Sequence, residues 1–245
     1  MRRLPVLEGY ARSGRVVFLS HCLLNENVRY PGGAFDACCV RDVVAACMRA
    51  GIGMVQLPCP EQEAWGGVTK PWMFCGHALA GPLRRAEPAA VALLLRRTRH
   101  VFRRLAKSVA ATIEDYLASA YSVVGVVGVD GSPSCGVTVT MDAAATAHEL
   151  STRERPEWTA ARMNALVRRH SLPGAGMFVA ELRAELERRR LPVPFVAHDL
   201  LAELDGREPG LVARWLARAS ERPRPRLARG LLQRGACGPP GSKPP

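Results

Sequence analysis

Three cysteines occupy the same kind of position in the sequence, directly after a short apolar segment. They are Cys22 after residues 16–19, Cys59 after residues 54–57 and Cys135 after residues 121–129. Apolar segments of this length are typical of buried strands, and open α/β folds collect their ligands at the carboxyl ends of strands. Thiolates at such an edge could bind a soft metal or act as nucleophiles.

The spacing of these cysteines indicates that the fold must bring them together. Separations of 37 and 76 residues are far longer than those of zinc knuckles or bacterial ferredoxin segments, whose ligands share a local loop. His21, beside the first cysteine, is as consistent with a core or surface histidine as with a ligand. The remaining cysteines receive other predictions: Cys75 is the substitute ligand, and Cys38, Cys39 and Cys47 pack in the core from a helix.

The segment around Cys59 and the loop after Cys22 carry further groups that could do chemistry. Glu61 lies two residues after a cysteine on a rigid Cys-Pro-Glu turn, where its carboxylate could transfer a proton. Arg29 and Tyr30 could hold an anion or a planar ring. We therefore treat both as candidate substrate-binding residues.

The turn at Cys135 combines a thiol with two hydroxyl groups, those of Ser132 and Ser134. Taken alone, this turn is also consistent with Cys135 as the nucleophile of a metal-free cysteine hydrolase. These hydroxyls make Ser132 a candidate site residue and Ser134 a candidate for substrate binding.

The surrounding pattern predicts an α/β fold of three layers, a Rossmann-like and mostly parallel sheet flanked by helices. Strands are expected at 15–20, 54–57, 122–129 and 192–197. Helices are expected at 35–50, at 88–118 as one helix or a pair, and from the glycines at 174–176 to about 189. Segments 58–71 and 141–173 are predicted to be loop-like, with some helix at 158–168. One amphipathic stretch follows at 211–219.

The chain of 245 residues, 48% of them hydrophobic, is long enough for one main domain. We expect a flexible lead at 1–14, an α/β domain at 15–205, and a short helix with a disordered basic tail at 206–245. No window approaches the roughly 18 apolar residues of a membrane span, and no secretory leader is present. These features predict a cytoplasmic protein with reduced cysteines.

The formal charge of +12 raises the alternative of a basic RNA-binding protein. Five arginines and Lys107 lie at 96–107, on the polar side of the predicted long helix. A metal or cluster would then be a structural element only. A solvated helix face explains the same pattern.

Taken together, the motifs resemble the thiouracil desulfurase (TudS-like) family. The resemblance lies in Ser-His-Cys-Leu-Leu-Asn at 20–25 with Val-Arg-Tyr-Pro-Gly-Gly at 28–33, in Pro-Cys-Pro-Glu at 58–61, and in Gly-Ser-Pro-Ser-Cys-Gly at 131–136. The Gly-Ala-Gly segment at 174–176 is similar to the family's closing helix start.

The resemblance implies a [4Fe–4S] cluster held by Cys22, Cys59 and Cys135, with one iron left open for the sulfur of a thiolated pyrimidine. It implies non-redox removal of that sulfur, with Glu61 as acid and base and Ser132 as its partner. The expected partner is a small thiolated nucleobase or nucleotide. The sequence departs from the family pattern at His21, Asn25 and Pro31 and has an enlarged basic segment, which adds thiolated RNA as a candidate substrate.

Overall fold

A four-stranded parallel sheet forms the centre of the computed structural model, which describes residues 12–73, 85–152 and 159–221. The strands run in the order β2-β1-β3-β6 and are β1 (Arg15–Leu19), β2 (Gly53–Gln56), β3 (Ser122–Asp130) and β6 (Phe195–Asp199). All three strand pairs are parallel. The predicted α/β class with a parallel sheet and flanking helices is therefore confirmed.

Helices connect and cover these strands. They are α1 (His21–Leu24), α2 (Arg41–Arg49), α3 (Pro60–Ala64), α4 (Glu87–Ala118), α5 (Ala143–Thr152), α6 (Ala160–His170), α7 (Met177–Arg188), α8 (Leu200–Leu204) and α9 (Leu211–Glu221). A 3-10 turn spans Glu26–Val28, and a small antiparallel hairpin pairs β4 (Val139–Met141) with β5 (Ser171–Pro173). Each sheet strand is thus followed by helices, as parallel connections require.

The core forms where the sheet meets the long helix. The apolar side of α4 predicted from its periodicity faces inward, and Phe102 is fully buried between Trp65 and Phe178. Trp65 also donates its indole N–H to Thr98 Oγ1 at 2.9 Å. α4 is one continuous helix of 32 residues, about 48 Å long at 1.5 Å per residue. It packs mainly against α7.

The last described helix covers another part of the sheet. Val212 and Leu216 of α9 are fully buried, and α9 packs against α2, β3 and β6. Trp215 lies over Gly125, where a Cβ atom would come within 2.8 Å of the indole ring. The predicted lead at 1–14 and the tail beyond 221 lie almost entirely outside the described residues.

The predicted helix at 35–50 begins six residues later than expected, at Arg41. The cause is distant in sequence, since the backbone N–H of Val40 donates to Leu23 O at 3.0 Å and Cys38 O accepts the N–H of Glu26 at 2.9 Å. These bonds hold the segment before α2 in a non-helical path. Cys38 is consequently exposed and Cys39 half-buried, so only Cys47 packs in the core from a helix as predicted.

The prediction of loop-like structure for 141–173 is wrong for α5 and the hairpin, whereas the helix predicted at 158–168 is confirmed by α6. This segment contains α5, α6 and both strands of the hairpin, and side-chain caps start the two helices. Asp142 accepts the backbone N–H groups of Ala144 and Ala145, and Thr159 accepts that of Arg162. Segment 58–71, also predicted to be irregular, contains the short helix α3.

Candidate active site

The carboxyl ends of β1, β2 and β3 are held together directly before the predicted site residues. The backbone N–H of Ser20 donates to Val127 O at 3.0 Å, which joins the end of β1 to β3. The backbone N–H of Leu57 donates to Leu19 O at 2.8 Å, which joins β2 to β1. The chain segments that carry the three cysteines therefore leave the sheet side by side.

All eight predicted site residues line one cavity of about 630 Å³ at this edge. They are Cys22, Arg29, Tyr30, Cys59, Glu61, Ser132, Ser134 and Cys135. His21 lines it as well, and its Nδ1 accepts a hydrogen bond from the side-chain amide N–H of Gln56 at 2.8 Å. The fold thus brings together side chains that are far apart in the sequence.

Cys22 and Cys59 each lie at the start of a short helix. Cys22 is the second residue of α1, and burial raises the pKa of its thiol even though the nearby guanidinium of Arg29 acts to lower it. Cys59 precedes α3, and its Sγ accepts the backbone N–H of Gln62 at 3.5 Å. Burial, together with the charge of Glu61, raises the pKa of Cys59 to about 11.

Cys135 lies in a loop that the backbone fixes closely. Its carbonyl oxygen accepts the N–H of Val129 at 2.9 Å, and its own N–H donates to Ser132 Oγ at 3.1 Å. A Cβ atom at Gly128 would lie 2.3 Å from that carbonyl oxygen, so the close approach requires glycine. Burial raises the pKa of the Cys135 thiol strongly, and the other thiols and Glu61 add to the effect.

The first turn of α7 packs against this loop and hydrogen-bonds to it. Its backbone N–H groups donate to carbonyl oxygens of the loop, Met177 to Pro133 O at 2.9 Å and Phe178 to Ser134 O at 3.1 Å. Gly176 lies so close to Ser134 that a Cβ atom would come within 2.5 Å of its backbone. The Gly-Ala-Gly segment noted in the sequence therefore starts the helix that positions Cys135.

Glu61 is the centre of a hydrogen-bonded group. Its Oε1 accepts the hydroxyl of Ser134 at 2.8 Å and that of Ser132 at 3.2 Å, while Oε2 lies 2.7 Å from the ammonium nitrogen of Lys70. Burial alone would raise the pKa of Glu61. The ion pair with Lys70 and the two serine hydrogen bonds outweigh burial and hold the pKa below its usual value, so Glu61 is a carboxylate at neutral pH.

Lys70 was missed in the sequence. Its side chain is only 15% exposed, and its backbone has φ of +51°, a conformation uncommon for a residue other than glycine. The ion pair with Glu61 outweighs burial and raises the pKa of Lys70, which stays charged. One feature of the sequence could have identified Lys70 as unusual. Only three of the 34 basic Lys and Arg residues are lysines, and this one lies in a Gly/Pro-rich loop.

Arg29 and Tyr30, which follow the 3-10 turn after Cys22, also line the cavity. Arg29 Nη1 donates to Glu203 Oε2 and to Gly33 O, each at 2.9 Å, and its charge is also 3.5 Å from Glu26. Its Nε and Nη2 are buried without a hydrogen-bond partner among the described residues. Burial raises the pKa of Tyr30 to about 12, so its hydroxyl remains a donor.

The three cavity cysteines are not arranged around one ion. Within residues 12–73, 85–152 and 159–221, no group of three or more His, Cys, Asp or Glu side chains could hold a single metal ion. A polynuclear cluster places each thiolate on a different iron and does not require such a group. Cys75, the substitute ligand proposed from the sequence, lies outside the described residues.

The long helix also carries the predicted basic side. Arg96, Arg99, His100 and Arg103 border a shallow depression of about 410 Å³ on its surface. Arg103 pairs with Glu181 at 3.0 Å, and Arg97 stacks over Trp72 with its guanidinium 4.1 Å from the ring centre.

None of the helices described is long and apolar enough to cross a membrane.

The protein is an open α/β protein whose candidate site lies at the carboxyl ends of parallel strands. This site combines thiols, hydroxyls and one ionised carboxylate, which are groups typical of an enzyme active site. Searches of curated proteins and of solved structures found no match. A family model described as 2-thiouracil desulfurase matches residues 17–188, more than two thirds of the chain. The chain therefore belongs to the 2-thiouracil desulfurase family, as its motifs indicated.

Proposed function

We propose that this protein removes sulfur from a thiolated pyrimidine, such as 2-thiouracil or a related thiouridine, at a [4Fe–4S] cluster held by Cys22, Cys59 and Cys135. The observation that carries the proposal is that three thiols from three strand ends line one cavity with an ionised carboxylate. Membership of a desulfurase family supports it. Reduced cysteines suit a reducing compartment, which we take to be the cytoplasm.

The residues present fit such a cluster in two respects. Thiolates are the ligands that iron–sulfur clusters use, and three of them face one cavity. Buried N–H donors tune such sulfurs, and Arg29 has two partnerless nitrogens close to Cys22. When bound, the cluster would supply an iron without a protein ligand, a Lewis acid for the sulfur of the substrate.

The reaction would exchange sulfur for oxygen without a change of oxidation state. The C–S bond breaks, a C–O bond forms from water, and the sulfur leaves as sulfide. Glu61 is ionised and can accept the proton that water releases. Ser132 and Ser134 both donate to Glu61 and lie 3.1 Å from each other, so they can pass that proton between the carboxylate and the substrate.

Lys70 has a positioning role in this proposal. It holds one oxygen of Glu61 at 2.7 Å, which leaves the other oxygen directed at the two serines. Arg29, Tyr30 and Ser134 remain the candidates for substrate binding, because each lines the cavity and the first two carry a donor without a partner among the described residues.

The geometry gives less support to a metal-free hydrolase that uses Cys135. A thiol nucleophile needs a base within hydrogen-bond reach, whereas Cys135 Sγ accepts the hydroxyl of Ser134 at 3.5 Å. The RNA-binding alternative rests on the basic side of α4 and stays a prediction. Salt-sensitive RNA binding that survives Glu61→Ala, without sulfur release from any thiolated compound, would favour it.

Anaerobic turnover of 2-thiouracil tests the proposed function. The wild type should form uracil and sulfide in equal amounts, take the new oxygen from labelled water and consume no reductant. Cys135→Ser should abolish the reaction, whereas Cys38→Ser, which alters an exposed thiol outside the cavity, should retain it. Equal turnover by iron-free protein, or no sulfide from the iron-loaded protein, would contradict the proposal.

A further inference from the structure

The wall of the cavity is predominantly apolar, although one end carries the thiols and Glu61. Six of these apolar side chains come from the segment 141–200, and they are Met141, Leu150, Met163, Leu166, Val167 and Leu200. None of them is a proposed cluster ligand or a sequence neighbour of one. This part of the wall therefore has no evident task in sulfur removal itself.

Apolar residues continue up to the reactive end. A Cβ atom at Gly131, which begins the Cys135 loop, would lie 3.7 Å from Val167 Cγ1, in ordinary contact. Val167 is buried in α6 and lines the cavity. A substrate whose sulfur lies among the cysteines could thus extend directly along an apolar surface.

The cavity offers little to a phosphate group. Arg29 and Lys70 are the only Arg and Lys among the described residues that line it, and each is matched by a carboxylate, Glu203 at 2.9 Å and Glu61 at 2.7 Å. Among the described lining residues, an added dianion would meet no cation that lacks a carboxylate partner. Transfer of an unpaired charge to an apolar wall is costly.

We propose, on the basis of the function proposed above, that the preferred substrate is an uncharged thiolated pyrimidine with an apolar substituent. The thiocarbonyl would face the cysteines and the substituent would lie against α5 and α6. The cavity volume of about 630 Å³, which the cluster and the substrate would share, falls in the range of about 300–1,000 Å³ typical of sites for drug-sized ligands.

A comparison of three substrates tests this inference on the anaerobic, iron-loaded enzyme. They are 2-thiouracil, 6-propyl-2-thiouracil and 2-thiouridine 5′-monophosphate. Each methylene that becomes buried should raise kcat/KM by about fourfold, so we expect the propyl compound to exceed the parent at least about tenfold. The nucleotide should be the poorest of the three.

Variants of α6 identify the surface responsible. Val167→Phe fills space along the apolar surface of α6, where the substituent would begin, and should lower the ratio of kcat/KM for the propyl compound over the parent by about tenfold. Ala165→Phe places the same side chain on the exposed side of the same helix and should leave that ratio unchanged. Val167→Thr conserves volume while adding a hydroxyl, and it should lower the ratio if Val167→Phe fails to fold.

Calorimetric binding separates this inference from the proposed function. The products uracil and 6-propyluracil are compared on the same protein, and the propyl compound should bind at least about tenfold more tightly. If sulfide is released but the nucleotide is preferred, or if 6-propyluracil binds no more tightly than uracil, the inference is wrong and the proposed function stands. If no compound releases sulfide, the proposed function fails, and the binding comparison still decides whether the cavity selects apolar substituents.

Discussion

Replacing Lys70 by methionine should destabilise the protein by about 3 kcal/mol and remove most of its desulfurase activity. The substitution keeps most of the side-chain volume but leaves the carboxylate of Glu61 without its cation. Removal of one partner from a buried ion pair typically costs about 3–5 kcal/mol. The two side chains are 15% and 13% exposed, and two serine hydroxyls still donate to Glu61, so the cost should fall at the lower end.

A double-mutant cycle isolates the interaction itself. Urea unfolding is measured at pH 7 on Lys70→Met, on Glu61→Gln and on the double variant, with equal iron content in all samples. Because the double variant no longer buries an unpaired charge, it should be more stable than the sum of the single changes predicts, by about 2 kcal/mol. Lys70→Arg keeps the charge and should lose less stability and activity than Lys70→Met.

A small coupling energy would refute this reasoning. Exposed ion pairs typically contribute about 0.2–1 kcal/mol, so a coupling below about 0.5 kcal/mol would mean that the pair behaves as a surface pair. The positioning role of Lys70 would be wrong if Lys70→Met retained wild-type kcat while losing stability.

Three further changes test the support of the site and of the fold. Gly128→Ala places a Cβ atom 2.3 Å from Cys135 O, so it should displace the Cys135 loop, cost about 1–3 kcal/mol and lower the iron content; a wild-type iron content would contradict this. Ser132→Ala removes the acceptor for two backbone N–H groups of that loop, and thermal unfolding should show a loss of about 1 kcal/mol. Glu185→Gln should destabilise the protein at pH 7, because Arg188 and Arg189 hold the pKa of Glu185 at about 2 instead of 4.5. A lowered pKa stabilises the fold above the unfolded value, so the difference from wild type in urea unfolding should shrink as pH falls from about 4.5 towards about 2; a constant difference would contradict the assignment.

The parts of the fold that the sequence predicts well depend on local pattern. The four sheet strands are short apolar segments, and their structural bounds differ from the predicted bounds by a few residues at most. The long helix at 87–118 follows from its helical periodicity, which is strong over many turns. Because parallel strands share one carboxyl edge, the meeting of Cys22, Cys59 and Cys135 also follows from local pattern and topology.

The parts that the sequence did not predict depend on contacts between distant residues. The start of α2 is delayed because the backbones of Val40 and Cys38 hydrogen-bond to Leu23 and Glu26, which uses groups that a longer helix would pair internally. Lys70 reaches Glu61 only through the folded path of the loop that joins them. Helix α5 lies in a segment predicted to be loop-like, because its polar and alanine-rich sequence hides a weak apolar side, and Leu150 on that helix lines the cavity.

The most direct test of the central claim is the content of iron and acid-labile sulfide per chain after anaerobic reconstitution. The wild type and the control Cys38→Ser should each bind about four iron and about four sulfide, as a [4Fe–4S] cluster requires. Cys22→Ser, Cys59→Ser and Cys135→Ser should each lose most of both. An iron-free wild type, or full iron content in any one of these three variants, would contradict the assignment of Cys22, Cys59 and Cys135 as the ligands of the cluster.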